Sequence, residues 1–248
     1  MTYCVGMVLE KGLVLMSDTR TNSGVDNISV FRKMFSWQVP GERMIAVMTA
    51  GNLATTQAVV SQLEERTKEP DERNNTLIKG PTMFSVATEI GNLLRATIEE
   101  RQRANGDRGK GRFTASIILA GQIAGMEPRL FMIYPEGNFI EASWDTPFFQ
   151  IGETKYGRPI IIRGYDRKMS FEDAVKLLMV SFDSTLKANL SVGLPLDLLV
   201  VGKDDFAPTH ERRVTQDDPY FDAISSSWGD ALQQAFAALP DYTIDSLD

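Results

Sequence analysis

The 248-residue chain contains only one cysteine, Cys4, and one histidine, His210. An internal disulfide needs two cysteines, and a zinc site built from Cys and His needs three or four such ligands. His210 lies in a polar run, which favours an exposed histidine over the base of a Ser-His-Asp or Cys-His site. We therefore expect no metal and no cofactor, and any nucleophilic catalysis should use a base other than imidazole.

Long apolar runs and an excess of positive charge are also missing. No apolar stretch is long enough to span a bilayer, and the N-terminus lacks the basic and apolar segments of a secretory signal. The net charge of −7 repels nucleic-acid phosphates on average. The most basic stretch, residues 101–112, contains no aromatic residue and is predicted to be a solvated loop after a helix. We expect a cytoplasmic protein that binds neither membranes nor nucleic acid.

Hydrophobic patterning predicts strands and helices that are grouped along the chain rather than alternating. Strands are predicted at residues 3–9, 13–17, 43–50, 113–120, 129–134, 138–141, 196–202 and 212–215. Helices are predicted from residue 52 to about 68 and at residues 82–103, 170–190 and 220–239. No repeat or linker divides the chain. This pattern predicts a single α+β domain over residues 1–248, with helices covering antiparallel sheets.

Thr2 is the first candidate for a functional residue. Removal of an initiator methionine is efficient before a small residue, and the mature chain would then begin with Thr2. A free α-amine has an ordinary pKa of about 7.7–8.0, so part of it is neutral near physiological pH and can accept the hydroxyl proton. Nucleophile and base would then belong to one residue. Threonine at position 2 is common, so taken alone it indicates little.

Three further positions give Thr2 a chemical context. The second predicted strand ends at residues 17–20, and a hairpin would bring Asp18 close to Thr2. Lys33 near the Thr2 oxygen would favour its deprotonated form, and Asp18 would keep that lysine charged and oriented. The N–H of Gly51, at a strand-to-helix junction, would stabilise an oxyanion. Each has a common structural alternative: a turn aspartate, a solvated lysine and a glycine at the start of a helix.

Taken together, these positions resemble the proteasome β-subunit pattern in order and in nearly matching spacing. The pattern comprises Thr2, Gly12, residues 17–20, Gly24, Lys33 and residues 50–52. The fuller wording is similar to the bacterial Anbu family over nearly the whole chain. It comprises MTYCVG at residues 1–6, SDTRTNSGVDNIS at 17–29, FRKM at 31–34, YGRP at 156–159 and LKANLSVGLPL at 186–196.

The resemblance implies a four-layer αββα sandwich of the N-terminal nucleophile hydrolase type and a threonine-type peptidase activity on peptide or other amide bonds. By this resemblance Thr2 is the nucleophile and its own amine is the base. Lys33 tunes the hydroxyl, Asp18 orients Lys33, and Gly51 supplies the oxyanion-hole N–H. Ser191 matches a serine that helps to order the N-terminal amine in proteasome subunits.

The resemblance further implies that Arg20 braces a turn and that many copies assemble into a ring or an open spiral. No propeptide precedes Thr2, so maturation is expected to need an aminopeptidase only. Residues 152–154 read Gly-Glu-Thr where Gly-Ser-Gly is usual, and Ala188 stands where an aspartate is usual. A non-catalytic or weakly active assembly subunit, or an amidase for a specialised small peptide, therefore stays open as an alternative. Phe31, Phe35 and Thr49 are expected near the substrate pocket.

Overall fold

The computed structural model of the protein describes residues 1–22, 28–68, 76–106 and 111–244. In chain order its elements are β1 (Tyr3–Leu9), β2 (Gly12–Asp18), β3 (Arg20–Asn22), β4 (Ile28–Val30), β5 (Met34–Val39), β6 (Arg43–Gly51), α1 (Leu53–Lys68), α2 (Thr76–Lys79), α3 (Met83–Asn105), β7 (Ala115–Ile123), β8 (Arg129–Ile133), β9 (Phe139–Glu141), β10 (Phe148–Gly152), α4 (Arg158–Gly164), α5 (Phe171–Ala188), β11 (Leu196–Gly202), β12 (His210–Val214) and α6 (Pro219–Ala237). Strands and helices are grouped, as the α+β prediction requires.

Two five-stranded antiparallel sheets form the centre of the fold. Sheet I has the strand order β10-β1-β2-β11-β12, and sheet II has the order β5-β6-β7-β8-β9. The short strands β3 and β4 pair with each other outside both sheets. Sheet I thus contains strands from both ends of the chain. The N-terminal strand β1 lies inside this sheet, between β10 and β2.

The two sheets stack between two layers of helices. Along β1, Tyr3 and Val5 pack with Leu178 and Phe182 of α5, in a core between sheet I and its helices. Cys4 of the same strand belongs to a second core, which lies between the two sheets. A third core joins sheet II to α1 and α3. These three cores separate four layers, in the order helices, sheet I, sheet II, helices. This is the four-layer αββα sandwich, which confirms the predicted fold.

The continuous apolar runs in the central strands follow from this layering. In β2, Val14 and Met16 face the helices, while Leu13 and Leu15 face sheet II. Because successive side chains of a strand point to opposite faces, a strand buried on both faces must be apolar at every position. The sequence therefore shows a run of apolar residues here, without polar alternation.

The elements expected from the sequence are present, with small shifts at their ends. Thr82 caps α3 through the N–H of Ser85, and Ser170 caps α5 through the N–H of Asp173. The sequence did not predict β3, β4, β5, β10, α2 or α4. Most of these are short, and tertiary contacts define them better than local periodicity does. The domain boundaries of residues 1–248 stay a prediction.

The structure can also be compared with what the sequence indicated for His210, for the basic stretch at residues 101–112 and for Gly24. His210 is exposed on β12, as predicted from its polar surroundings. The basic stretch at residues 101–112 begins inside α3, which continues to Asn105, and residues 107–110 lie outside the described part. Gly24, one position of the proteasome-like pattern, also lies outside it. Within the described ranges, no helix combines the length and the apolarity needed to cross a membrane.

Candidate active site

The β1–β2 hairpin places the end of the second strand beside the start of the chain. Its register pairs Cys4 with Ser17, so the next positions, Tyr3 and Asp18, lie opposite each other. The N–H of Tyr3 donates to Asp18 Oδ1 over 2.9 Å. The Asp18 carboxylate is fully buried next to the peptide unit that joins Thr2 to Tyr3.

Lys33 completes an ion pair with the same carboxylate oxygen. Its Nζ lies 2.8 Å from Asp18 Oδ1 and donates to the carbonyl oxygen of Arg20 over 2.6 Å. Burial raises the pKa of the Asp18 carboxyl, and the Lys33 ammonium opposes this shift. The backbone of Lys33 is held by sheet II, since its carbonyl oxygen accepts the N–H of Thr49 on β6. Both sheets therefore contribute to the position of this ammonium group.

Gly51 ends β6 in a conformation that only glycine adopts easily. Its φ angle is +113°, and a Cβ atom added there would lie 2.5 Å from the carbonyl oxygen of Thr114 on the neighbouring chain segment. Asn52 follows, and its side chain caps α1 by accepting the N–H of Thr55 over 3.0 Å. The positive end of the α1 dipole therefore points toward the same place.

A cavity of about 380 Å³ brings these residues together. It is lined by Met1, Thr2, Thr21, Lys33, Thr49, Ala50, Gly51, Leu53, Thr56 and Gly152. The lining combines threonine hydroxyls with apolar groups. Thr49 lies where the sequence analysis expected it, but Phe31 and Phe35 do not line the cavity, and Phe35 packs on the core between sheet II and its helices.

A larger groove of about 810 Å³ lies between α4, α5 and α6. Its lining includes Ile160, Leu177, Val180 and Trp228 and none of the predicted site residues. The size of a cavity therefore does not identify the candidate active site. The smaller cavity, at the chain start, is the one that Thr2, Lys33 and Gly51 line.

The presence or absence of Met1 determines whether the free α-amine of the chain belongs to Met1 or to Thr2. With Met1 in place, the Thr2 nitrogen is part of a peptide bond, and Met1 itself lines the cavity. Burial and the nearby charge of Lys33 lower the pKa of the Met1 amine, while Asp18 opposes the shift. A free amine on Thr2 therefore requires the loss of Met1.

Ser191 and Arg20 lie beside the site rather than on the cavity wall. The N–H of Ser191 donates to Asn189 Oδ1 over 3.0 Å in the loop after α5, and Ser191 does not line the cavity. Arg20 Nη1 donates to the carbonyl oxygen of Leu190 over 3.2 Å. A Cβ atom on Gly193 would lie 2.2 Å from Arg20 Nε, so the loop packs closely on this guanidinium.

Glu153 lies next to Thr2, and the structure gives it well-defined partners. Its N–H donates to the Thr2 carbonyl oxygen over 2.6 Å. Its Oε1 accepts the N–H groups of Thr154 and Lys155, and its Oε2 accepts Asn189 Nδ2 over 2.9 Å. Burial opposes ionisation, but these three donors and the charge of Lys155 together lower the pKa of the Glu153 carboxyl. Sequence reasoning missed Asn189, because only the folded chain brings it to residue 153.

Among the described residues, no group of three or more His, Cys, Asp or Glu side chains could hold a metal ion. The cavity lining and the ion pair behind it provide threonine hydroxyls, a buried ammonium–carboxylate pair and backbone N–H groups. Such a set can activate a nucleophile and stabilise an oxyanion.

Comparison with known proteins identifies the family. The family model described as "Proteasome subunit" matches residues 2–201. The proteasome subunit beta of Methanopyrus kandleri is 23% identical over 207 residues, which cover 82% of this chain and 88% of that protein. The solved structure of Anbu (ancestral beta-subunit) from Yersinia bercovieri superposes with a TM-score of 0.91 at 47% identity, covering 98% of this chain and 100% of that chain.

A second solved structure gives the same result. The helical assembly of the Anbu complex from Pseudomonas aeruginosa matches with a TM-score of 0.87 at 42% identity, over 100% of both chains. The match extends past residue 201, where the family model ends, and so includes β12 and α6. The chain belongs to the proteasome subunit family, and within it to the Anbu (ancestral β-subunit) proteins.

Proposed function

We propose that the chain is a threonine-type N-terminal nucleophile hydrolase that cleaves peptide or other amide bonds once Met1 is removed. One observation carries this proposal. Asp18 Oδ1 accepts both the Lys33 ammonium and the N–H of Tyr3, the residue after Thr2. Lys33 and Thr2 line the same cavity, which also contains Gly51.

The reaction follows from the properties of these groups. The α-amine of Thr2 takes the proton of its own hydroxyl as Thr2 Oγ1 attacks the substrate carbonyl carbon. The resulting oxyanion accepts a hydrogen bond from the N–H of Gly51. The ammonium then returns its proton to the leaving amine, the C–N bond breaks, and an ester on Thr2 Oγ1 remains. Water activated by the same amine hydrolyses this ester.

Lys33 supports the reaction through its charge. A buried ammonium near Thr2 Oγ1 lowers the free energy of the developing alkoxide, and the ion pair with Asp18 holds the ammonium in place. Ser191, on the loop that Arg20 contacts, would help to order the amine. Arg20 would brace this loop from outside.

The test uses a sample whose N-terminal mass shows complete loss of Met1. Incubation with a threonine-directed β-lactone or epoxyketone should add one inhibitor mass to the chain, and peptide mapping should locate it on Thr2. Thr2→Ala, which keeps a small second residue and so permits Met1 removal, should remain unlabelled. A Met1-free wild-type chain that never forms the adduct would contradict the proposal.

A non-catalytic assembly subunit is a second candidate, and the carboxylate of Glu153 beside Thr2 favours it. A negative charge at this place changes the surroundings of the amine that acts as base. Turnover of a peptide library by the wild-type chain, together with none by Thr2→Ala, would eliminate this candidate. Equal, negligible turnover by both would support it.

We also propose that many copies of the chain assemble into a ring or an open spiral in the cytoplasm, where peptides or small amides would be its substrates. The relative from Pseudomonas aeruginosa was solved as a helical assembly, and it matches this chain over its full length. Neither nucleic acid nor a membrane surface is expected as a partner, given the net charge of −7.

A further inference from the structure

The carboxylate of Glu153 is fixed at the start of β1. The register of β10 and β1 pairs Gly152 with Tyr3, so the following position, Glu153, lies opposite Thr2. The 2.6 Å bond from the Glu153 N–H to the Thr2 carbonyl oxygen joins these two residues directly. Glu153 is only 6% exposed. An almost buried charged group beside a chain terminus is costly to keep unless it has a cationic or hydrogen-bonding partner there.

Asn189 connects this carboxylate to the residue that is removed. Its Nδ2 donates to Glu153 Oε2 over 2.9 Å and lies 3.2 Å from the sulfur of Met1. Its Oδ1 accepts the N–H of Ser191 over 3.0 Å, which fixes the amide plane. The Glu153 carboxylate and Asn189 therefore border the place from which Met1 departs. Loss of Met1 would convert the Thr2 nitrogen, which is acylated by Met1 here, into a free α-ammonium.

We propose that Glu153, held in position by Asn189, binds the α-ammonium of Thr2 in the mature chain and orients it beside the Thr2 hydroxyl. Glu153 is a positioning residue in this scheme, since it acts through the amine and does not touch the substrate. The inference rests on the proposed hydrolase function and names the group that controls its base. Oε1 is already occupied by two backbone N–H groups, so Oε2 is the oxygen available to the ammonium.

Charges from several elements act on this amine. Glu153 after β10 and Asp18 at the end of β2 favour the protonated form, whereas Lys33 before β5 and burial favour the neutral form. Lys155 acts on the Glu153 carboxylate. The loop after α5 contributes the neutral Asn189 and Ser191. Without the negative charge of Glu153, the effects of Lys33 and of burial on the amine are less compensated. The pKa of the amine should then fall, so that the amine becomes neutral at lower pH.

The experiment compares Glu153→Gln with Glu127→Gln in Met1-free protein. Glu127 is an exposed acid that pairs with Lys203 over 2.6 Å near the end of β7 that is distant from Gly51, so it is a matched control. The titration of the Thr2 amine is followed by competitive acetylation across pH, with mass spectrometry of the N-terminal peptide. The pH dependence of kcat/KM is measured on the same samples.

We expect Glu153→Gln to lower the midpoint of the amine titration by about one pH unit and to move the acidic limb of kcat/KM by the same amount. Glu127→Gln should change neither. A midpoint that stays in place in Glu153→Gln, or that moves equally in the control, would overturn the inference. A shifted amine without any turnover or Thr2 adduct in the wild type would refute the hydrolase function while supporting the contact between Glu153 and the amine.

Circular dichroism of Glu153→Gln shows whether the variant folds. If the variant does not fold, the titration of the Thr2 amine in the mature wild-type chain tests the inference instead. Its amine midpoint should lie at or above the ordinary range of about 7.7–8.0 despite the nearby charge of Lys33. A wild-type midpoint well below that range would mean that Glu153 does not stabilise the ammonium, and would overturn the inference.

Discussion

At the scale of single residues, the Lys33 ammonium is buried between a carboxylate and a carbonyl oxygen, and its side chain is 5% exposed. A buried ion pair of this kind contributes little net stability compared with an apolar pair, but it is costly to break. The reason is that removal of one partner leaves the other charge buried without compensation. The role proposed for this pair in catalysis therefore explains it better than a contribution to the stability of the fold does.

Substitution of Lys33 tests this interpretation. Lys33→Ala should lower the rate of Thr2 adduct formation by about 100-fold or more, since the charge that favours the alkoxide is gone. It should also lower the free energy of unfolding by about 3–5 kcal/mol, because Asp18 is left unpaired. Intact-mass kinetics and urea unfolding measure the two effects.

Lys203→Ala is the matched control for Lys33→Ala, because Lys203 forms its ion pair with Glu127 at the surface. Because water screens this exposed pair, its loss should leave the free energy of unfolding close to the wild-type value, and adduct formation should stay at the wild-type rate. Equal adduct rates in Lys33→Ala and Lys203→Ala would refute the role given to Lys33.

At the scale of secondary-structure elements, the junction between β6 and α1 needs a residue without a side chain. Gly51→Ala would add a Cβ atom 2.5 Å from the Thr114 carbonyl oxygen and would strain a φ angle of +113°. We expect a loss of about 1–3 kcal/mol in unfolding free energy and a fall in turnover, since the N–H proposed for the oxyanion hole must move.

Gly125→Ala is the control that separates the conformational cost of a positive φ angle from the effect on turnover. Gly125 also has a positive φ angle, +77°, but its added Cβ atom would meet no described heavy atom within 4 Å. It should show the conformational cost alone and leave turnover unchanged. Thermal unfolding and peptide hydrolysis measure both variants, and unchanged turnover in Gly51→Ala would exclude Gly51 from the oxyanion hole.

The elements also show why some structure was visible in the sequence. Residues 3–9 and 13–17 carry apolar runs around a turn, and this local signal predicts the hairpin that brings Asp18 to the chain start. Strand β10 was missed because its five residues carry no distinctive period and acquire their role only by pairing with β1. Helix α4 was missed because it has only seven residues.

At the scale of the whole molecule, α6 exposes apolar side chains that a lone subunit leaves in water. Leu232 is 50% exposed and Phe236 is 78% exposed, and both belong to the last helix. Exposed apolar residues of this size on one element are typical of a contact surface. Under the self-association proposed above, a second copy of this chain would cover this surface.

Phe236→Asp should therefore lower the sedimentation coefficient of the particle, since a charge would be buried at the contact between copies. Met126→Ser, which changes an exposed apolar residue at the turn between β7 and β8, should leave it unchanged. Sedimentation velocity at several micromolar concentrations measures both. A wild-type chain that is monomeric throughout this range would refute assembly.

Apolar periodicity and turn residues are local signals, so the sequence by itself determined the strands, the helices and their α+β grouping. The four-layer order and the roles of Thr2, Asp18, Lys33 and Gly51 were implied by the resemblance to proteasome β-subunits. Only the tertiary structure decided which side chains meet next to Thr2. Glu153 and Asn189 meet at the chain start because β10 pairs with β1 and the loop after α5 folds back over them. Contacts between residues so far apart in sequence depend on the packing of whole layers, and no local pattern records them.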